Sequence, residues 1–353
     1  MNQKLNNINE MKCQFLDENA TYDFLKFLKG RSKVFAPHRK GEASYIYDEV
    51  SDVKDVVLQY PRTIQPLKKY FLPPRETLLS FNIDENNFTE SEINVEPRIF
   101  FGIHAYEMEG VMRLDYTFEQ GQPESNYLTR REQSTFIGIS YEPDEYHFSK
   151  SLGIDIDSVD GFSLYFKKTD NGYYVYEIDA AGQQLMKEFG KGKRVDIPVT
   201  KEEPEFTNKI KYHYNRLPQI FEHVYDSKVW EEVAERCVGC GTCNLLCPTC
   251  YCFDVRDEVE INATEGKRER FWDGCMLNPF AEVAGNENFR EKLSSRTRHR
   301  LYRKFKYITN KSGELHCVGC GRCSKYCPAD ISITKIINNL IDDYADRQQK
   351  QVI

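Results

Sequence analysis

From Phe15 to Asp226 there is not one cysteine, although the 353-residue chain holds 12. Long apolar runs are also missing. No stretch approaches the length of a membrane span, and Met1 to Glu10 is polar and lacks the apolar core of a signal peptide, so a cytoplasmic protein is expected. In that reducing compartment cysteines read as metal ligands rather than disulfides. Positive charge is not in excess: 48 Lys and Arg against 55 Asp and Glu leave a net charge of -7, which gives no reason to expect nucleic acid. No Walker A loop, G-x-G-x-x-G or G-x-S-x-G run occurs, which leaves no site for a nucleotide or for hydrolytic chemistry.

What is present is gathered near the end. C-V-G-C-G-T-C-N-L-L-C-P runs from Cys237 to Pro248, and C-V-G-C-G-R-C-S-K-Y-C-P from Cys317 to Pro328. Both are C-x2-C-x2-C-x3-C-P, the bacterial ferredoxin run, in which three thiolates hold one 4Fe-4S cluster and the fourth reaches the cluster of the sister run. The spacing assigns Cys237, Cys240, Cys243 and Cys327 to one cluster, and Cys317, Cys320, Cys323 and Cys247 to the other. Gly239, Gly241, Gly319 and Gly321 let backbone amides approach the sulfides, while Pro248 and Pro328 fix the turn where each run leaves its own cluster. Zinc also takes paired C-x-x-C groups, but a zinc site gains nothing from a third cysteine, a fourth before proline, or a second copy.

Hydrophobic residues make up 40 % and aromatics 13 % of the chain, enough for a packed core, and the length favours two domains. The predicted class is α+β: a mixed α/β platform over residues 1–200, then a mostly helical two-cluster module over 201–353 with an inserted segment, 248–316. Apolar spacing predicts helices at Glu18–Leu28, Glu107–Phe118 and Gln183–Phe189. Strands are expected at Lys33–Pro37, Val56–Tyr60, Leu78–Phe81, Arg98–Ile103 and Thr135–Tyr141. Thr169-Asp170-Asn171-Gly172 is a hairpin turn between Phe162–Lys167 and Tyr173–Ile178, and the charged Gly190–Pro204 reads as a linker. A helix capped at Asp226 or Ser227 runs over Val229–Arg236 into the first cysteine loop. Helical character is expected at Pro279–Leu293, Arg298–Lys306 and Ile331–Tyr344.

The stretch C-P-T-C-Y-C-F-D-V from Cys247, R-F-W-D-G-C from Arg270, F-A-E-V-A-G from Phe280 and F-R-E-K from Phe289, with the second cysteine run, resembles a known family. It is similar to the iron–sulfur β subunit of cytoplasmic sulfhydrogenases and NAD(P)-linked nickel–iron hydrogenases, and to the corresponding iron–sulfur subunit of anaerobic sulfite reductase. Fainter matches lie at Phe35–Lys40, Pro66–Lys69 and Phe100–Met108. The resemblance implies two partners: an FAD-containing, NAD(P)-binding flavoprotein subunit, and a hydrogenase or a sulfur or sulfite reductase module. FAD and NAD(P) are then expected on the partner and not on this chain. Members commonly read Cys-Asp where this chain has Tyr106-Glu107, and carry cysteines near the positions of Tyr141, His147 and Ser149. If those hold an additional cluster in relatives, this chain should lack it.

Cys250, Cys252 and Cys275 remain unassigned, and Cys13 stands alone. Two readings stay open: a further metal site made by those three with an unidentified fourth group, or thiols packed beside the clusters. Iron counting separates them. The basic run Arg296–Lys306 is expected to support the anionic clusters or a subunit contact rather than nucleic acid. Trp272 and Asp273 read as packing and helix-capping residues, His104 and His147 as structural. Together these features describe an electron-transfer subunit with no catalytic residue of its own. The rival readings are an interaction subunit braced by structural clusters, and a reductase that binds substrate in its amino-terminal domain.

Overall fold

The computed structural model describes residues 11–197 and 203–351. β1 (Lys12–Asp17) leads straight into α1 (Glu18–Lys29), where Asp17 accepts a hydrogen bond from the Ala20 N–H at 2.8 Å and caps the first turn. Thr21, Phe24, Leu25 and Leu28 recur at helical spacing and are the buried face. β2 (Lys33–Lys40) and β3 (Ser44–Glu49) form a hairpin, as do β4 (Arg75–Asn82) and β5 (Asn87–Glu90). β6 (Arg98–Ile103), apolar and buried after its first residue, enters α2 (Ala105–Glu119). α3 (Ser125–Glu132), β7 (Ser134–Ile139), β8 (Leu164–Thr169), β9 (Gly172–Glu177), α4 (Ala180–Phe189) and β10 (Lys193–Val195) complete this region.

The eight-stranded sheet has the order β10-β1-β9-β8-β7-β6-β2-β3. Its centre, β8, β7, β6 and β2, is parallel, and antiparallel strands flank it on both sides. Aromatic and branched residues pack on both faces, with Phe24, Phe101 and Phe166 in one core and Phe71, Phe100 and Phe136 in the other. The hairpin turns at Asp170 and Asn171, with Thr169 opposite Gly172, as the turn residues predict.

Two expectations fail here. Val56–Tyr60 is not a strand. Val56, Leu58 and Tyr60 are buried alternately, which mimics one, but the segment makes a single bridge, Val56 with His38, which is already paired with Ile46 of β3. Nor is Gly190–Pro204 simply a linker, because β10 pairs with β1, Cys13 opposite Val195. Residues 198–202 of that segment lie outside the described residues.

The carboxy-terminal half continues with α5 (Leu217–His223), α6 (Val229–Arg236) and α7 (Thr242–Leu245). The Ser227 hydroxyl accepts from the Val229 N–H at 3.3 Å at the start of α6. β11 (Phe253–Val259) and β12 (Glu265–Trp272) follow, and then β13 (Glu282–Val283) and β14 (Glu287–Asn288). α8 (Leu293–Tyr302) widens into a π-helical turn over Arg303–Tyr307, then come α9 (Thr309–Ser312), α10 (Arg322–Lys325) and α11 (Ile333–Gln351). Trp230, Phe221, Tyr302, Phe305 and the apolar face of α11 share one core with Phe148 from the amino-terminal half. Among the described residues no helix is long and apolar enough to cross a membrane.

The expected helix over Pro279–Leu293 is replaced by a 3-10 turn at Asn278–Ala281 and the β13–β14 hairpin. Gly285 and Asn286, at φ 95° and 61°, break any helix there. The inserted segment 248–316 is also less helical than expected, since β11 and β12 join β4 and β5 in a four-stranded sheet, order β11-β12-β4-β5. That sheet ties residues 75–90 to residues 253–272. Trp272 donates to the Leu72 carbonyl at 2.8 Å, and Arg270, buried, pairs with Glu76 and with Glu124 at 2.8 Å.

Candidate metal centre

The two cysteine runs fold alike and sit differently. In each, two glycines take positive φ, Gly239 at 66° and Gly241 at 74° in the first, Gly319 at 65° and Gly321 at 73° in the second. Each run then enters a one-turn helix, α7 or α10. Cys237, Cys240, Cys243 and Cys327 line a single cavity beneath α6 and α11, together with Cys323, Arg300 and apolar side chains such as Val233, Ile333 and Ile336. The charges of Cys247 and Cys323 both bear on Cys317 and on Cys320, which places those four near one another. Burial pushes the Cys243 and Cys317 thiols up to about 12 and Cys320 to about 11. Bare thiolates are costly in such surroundings, so several together fit a cationic metal core that shares their charge. Among the described residues no group of three or more His, Cys, Asp or Glu side chains is placed to hold a single metal ion.

Cations line the interior side of the runs. Arg296, Arg300 and Lys304 recur every fourth residue and are all buried. Arg300 donates to the Cys243 carbonyl at 3.2 Å, and Lys304 donates to the Cys247 sulfur at 3.0 Å and to the Thr249 hydroxyl at 2.9 Å. Burial alone would pull Lys304 towards its neutral form; Cys247, Cys250 and Cys317 outweigh it and raise its pKa above the usual lysine value. Within the basic stretch Arg300 and Lys304 therefore face inward and support the cysteines, while Arg298, Arg303 and Lys306 are partly exposed.

The second run is clamped to the amino-terminal half. Arg322, fully buried, forms an ion pair with Glu107 at 2.6 Å and donates to the Thr63 carbonyl and hydroxyl at 2.9 Å each. Arg62 donates to the Cys320 carbonyl at 3.0 Å and pairs with Asp144. A Cβ on Gly319 would come within 2.3 Å of the Ser149 backbone nitrogen, and one on Gly321 within 2.4 Å of the Tyr146 carbonyl. Gly110 of α2 likewise admits Pro248, 2.9 Å from where its Cβ would stand. By contrast Cys240 is exposed, and Val238 beside it is 66 % exposed, so the first run reaches the surface. The clamping side chains of Arg62, Thr63, Asp144 and Arg322 were not singled out from sequence; Arg322, between Cys320 and Cys323 where the first run has Thr242, was the available signal.

Tyr106, Tyr141, His147 and Ser149 converge. The Tyr106 and Tyr141 rings lie 5.1 Å apart, each 5.2 Å from His147, and the Tyr141 and Ser149 hydroxyls are hydrogen-bonded at 3.1 Å. All four are buried beside Val318 and Cys320. His104 stacks on Tyr60 and Tyr141 and bonds the Tyr106 hydroxyl at 3.0 Å, which is a packing role. Trp272 packs as expected, under the Lys68 ammonium. Asp273 instead accepts from the Gly274 N–H in a turn and caps no helix.

Cys250, Cys252 and Cys275 line a separate cavity with Asn244, Arg300, Lys304 and His316. Cys13 is buried in the core of the large sheet.

Two cysteine runs, buried cations behind them and glycine-lined loops define an iron–sulfur protein, and residues 236–331 match the 4Fe-4S dicluster domain. Over 328 residues, 90 % of this chain and 95 % of the relative, the sequence is 35 % identical to the sulfhydrogenase 2 subunit β of Pyrococcus furiosus. The chain belongs to the family of iron–sulfur sulfhydrogenase β subunits. No solved structure matches it.

Proposed function

We propose that this chain is the electron-transfer subunit that links an FAD- and NAD(P)-binding flavoprotein to a hydrogenase or a sulfur or sulfite reductase module in the cytoplasm. The reading is carried by two cysteine sets, one opening at the surface and the other sealed between the halves of the chain. Two 4Fe-4S clusters held there supply reversible one-electron redox chemistry. The residues of the chain do the rest: eight thiolates hold the irons, Lys304 and Arg300 neutralise the anionic thiolates, and the α2–α10 contact excludes water. The exposed edge at Cys240 and Val238 is the port to one partner. The packed rings of Tyr106, Tyr141 and His147 support the reading that no cluster occupies that position.

Cys240→Ser tests this, because Cys240 is exposed and its loss leaves the core intact. The variant is expected to lose one reducible EPR signal and the activity of the assembled complex with NAD(P)H. Full activity in that variant would favour a structural role for the clusters, and turnover by the isolated chain with an artificial donor would favour a reductase.

A further inference from the structure

We propose that the cavity beside the second run is a third iron–sulfur site, held by Cys250, Cys252 and Cys275 with His316 facing the remaining iron. All four line one cavity of about 320 Å³, larger by the same measure than the cavity between the four cysteines of the first set. The cavity is partly open, with Cys250 and Cys252 half-buried on its wall and Cys275 buried behind them. Asn244, itself buried, stands between two of them, its Nδ2 3.6 Å from the Cys250 sulfur and 3.5 Å from the Cys275 sulfur. That amide is a ready donor to ligating sulfur.

His316 supplies the independent observation. Its ring is 1 % exposed and neither nitrogen has a hydrogen-bond partner, an arrangement that is costly unless something in the cavity meets it. No Asp or Glu lines the cavity, while Arg290, Arg300, Arg303 and Lys304 do. Arg300, Arg303 and Lys304 already bond the Cys243 carbonyl, the Tyr251 hydroxyl and the Cys247 sulfur, and the three thiols and the unpartnered His316 imidazole are side chains of the kind that ligate metal. Binding releases the three thiol protons, and the cations offset the resulting negative charge.

The proposal adds to the two-cluster reading and fails separately from it. After anoxic reconstitution of the full chain with ferrous iron and sulfide, we expect about twelve irons per chain, falling to about eight in Cys252→Ser/Cys275→Ser. About eight irons in the unaltered chain overturns the third site and leaves the other two standing. If the double variant keeps fewer than eight, the two-cluster reading fails with it. Should the double variant not fold, the count on the unaltered chain still decides. His316→Ala is expected to weaken one iron and give the EPR signal of an oxidised three-iron cluster; an unchanged spectrum removes His316 from the site.

Discussion

Replacing Glu107 with alanine strips the partner from a guanidinium that sits at 0 % exposure between two cluster cysteines. Arg322 would keep its bonds to the Thr63 carbonyl and hydroxyl, both neutral, and the Leu67 N–H would lose its acceptor, now 2.7 Å away. Breaking a buried pair from one side costs about 3–5 kcal/mol, because the charge left behind is neither solvated nor compensated. For a chain of this length that corresponds to a fall of about 5 °C in the apparent melting temperature. The ion pair spans α2 and α10, so the same variant should release its second cluster faster under chelator, read as bleaching of visible absorbance. Glu107→Gln keeps an oxygen for the Leu67 N–H and isolates the loss of charge. Glu107→Leu/Arg322→Met, which replaces both charges by apolar groups, should recover most of the loss. A fall below about 1 °C for Glu107→Ala, or additive costs in the double-variant cycle, would refute the claim that this pair clamps the second run.

Lys304→Met removes an ammonium 3.0 Å from the Cys247 sulfur and should lower the potential of the second cluster by on the order of 100 mV, measured by EPR-monitored redox titration; no shift would sink the role given to that cation. Gly319→Ala should abolish retention of the second cluster, since its Cβ meets backbone at 2.3 Å, whereas Gly239→Ala, facing only the Leu293 side chain at 3.1 Å, should retain the first. Equal iron contents in the two variants would contradict that asymmetry. Trp272→Phe loses the bond to the Leu72 carbonyl and should cost about 1 kcal/mol in denaturant unfolding without changing iron content.

Cluster chemistry was legible in the sequence because a cubane demands thiolates at fixed spacing, and local loop geometry alone satisfies most of that demand. β6 and α2 were legible too, from an apolar run and a helical period that the structure keeps with small shifts at the ends. The β11–β12 hairpin was not. β11 is largely exposed and the strands read R-D-E-V and K-R-E-R, so apolar alternation does not mark them, and β12 finds its second partner only in the distant β4, Glu265 opposite Asn82. The Glu107–Arg322 pair escaped notice for the same reason: a charge on a helix next to a cysteine motif looks solvated until the opposite element is known. His316 is a lone histidine in sequence, and only the cavity and its unpartnered nitrogens distinguish it.

Two runs identical in spacing thus acquire different duties from what packs on them. In the first, position 242 is Thr and Gly239 meets one leucine methyl, so the loop stays open at Cys240. In the second, Arg322, Gly319 and Gly321 are each met by the amino-terminal half, and Cys317 and Cys320 are buried. Low dielectric around the second set penalises added negative charge, while Lys304 and Arg322 oppose that penalty. In the first set, nearer water, Arg300 bonds the Cys243 carbonyl. A difference in potential between chemically equal motifs follows from that packing, and Lys304→Met acting on the second cluster while leaving the first unmoved is its signature.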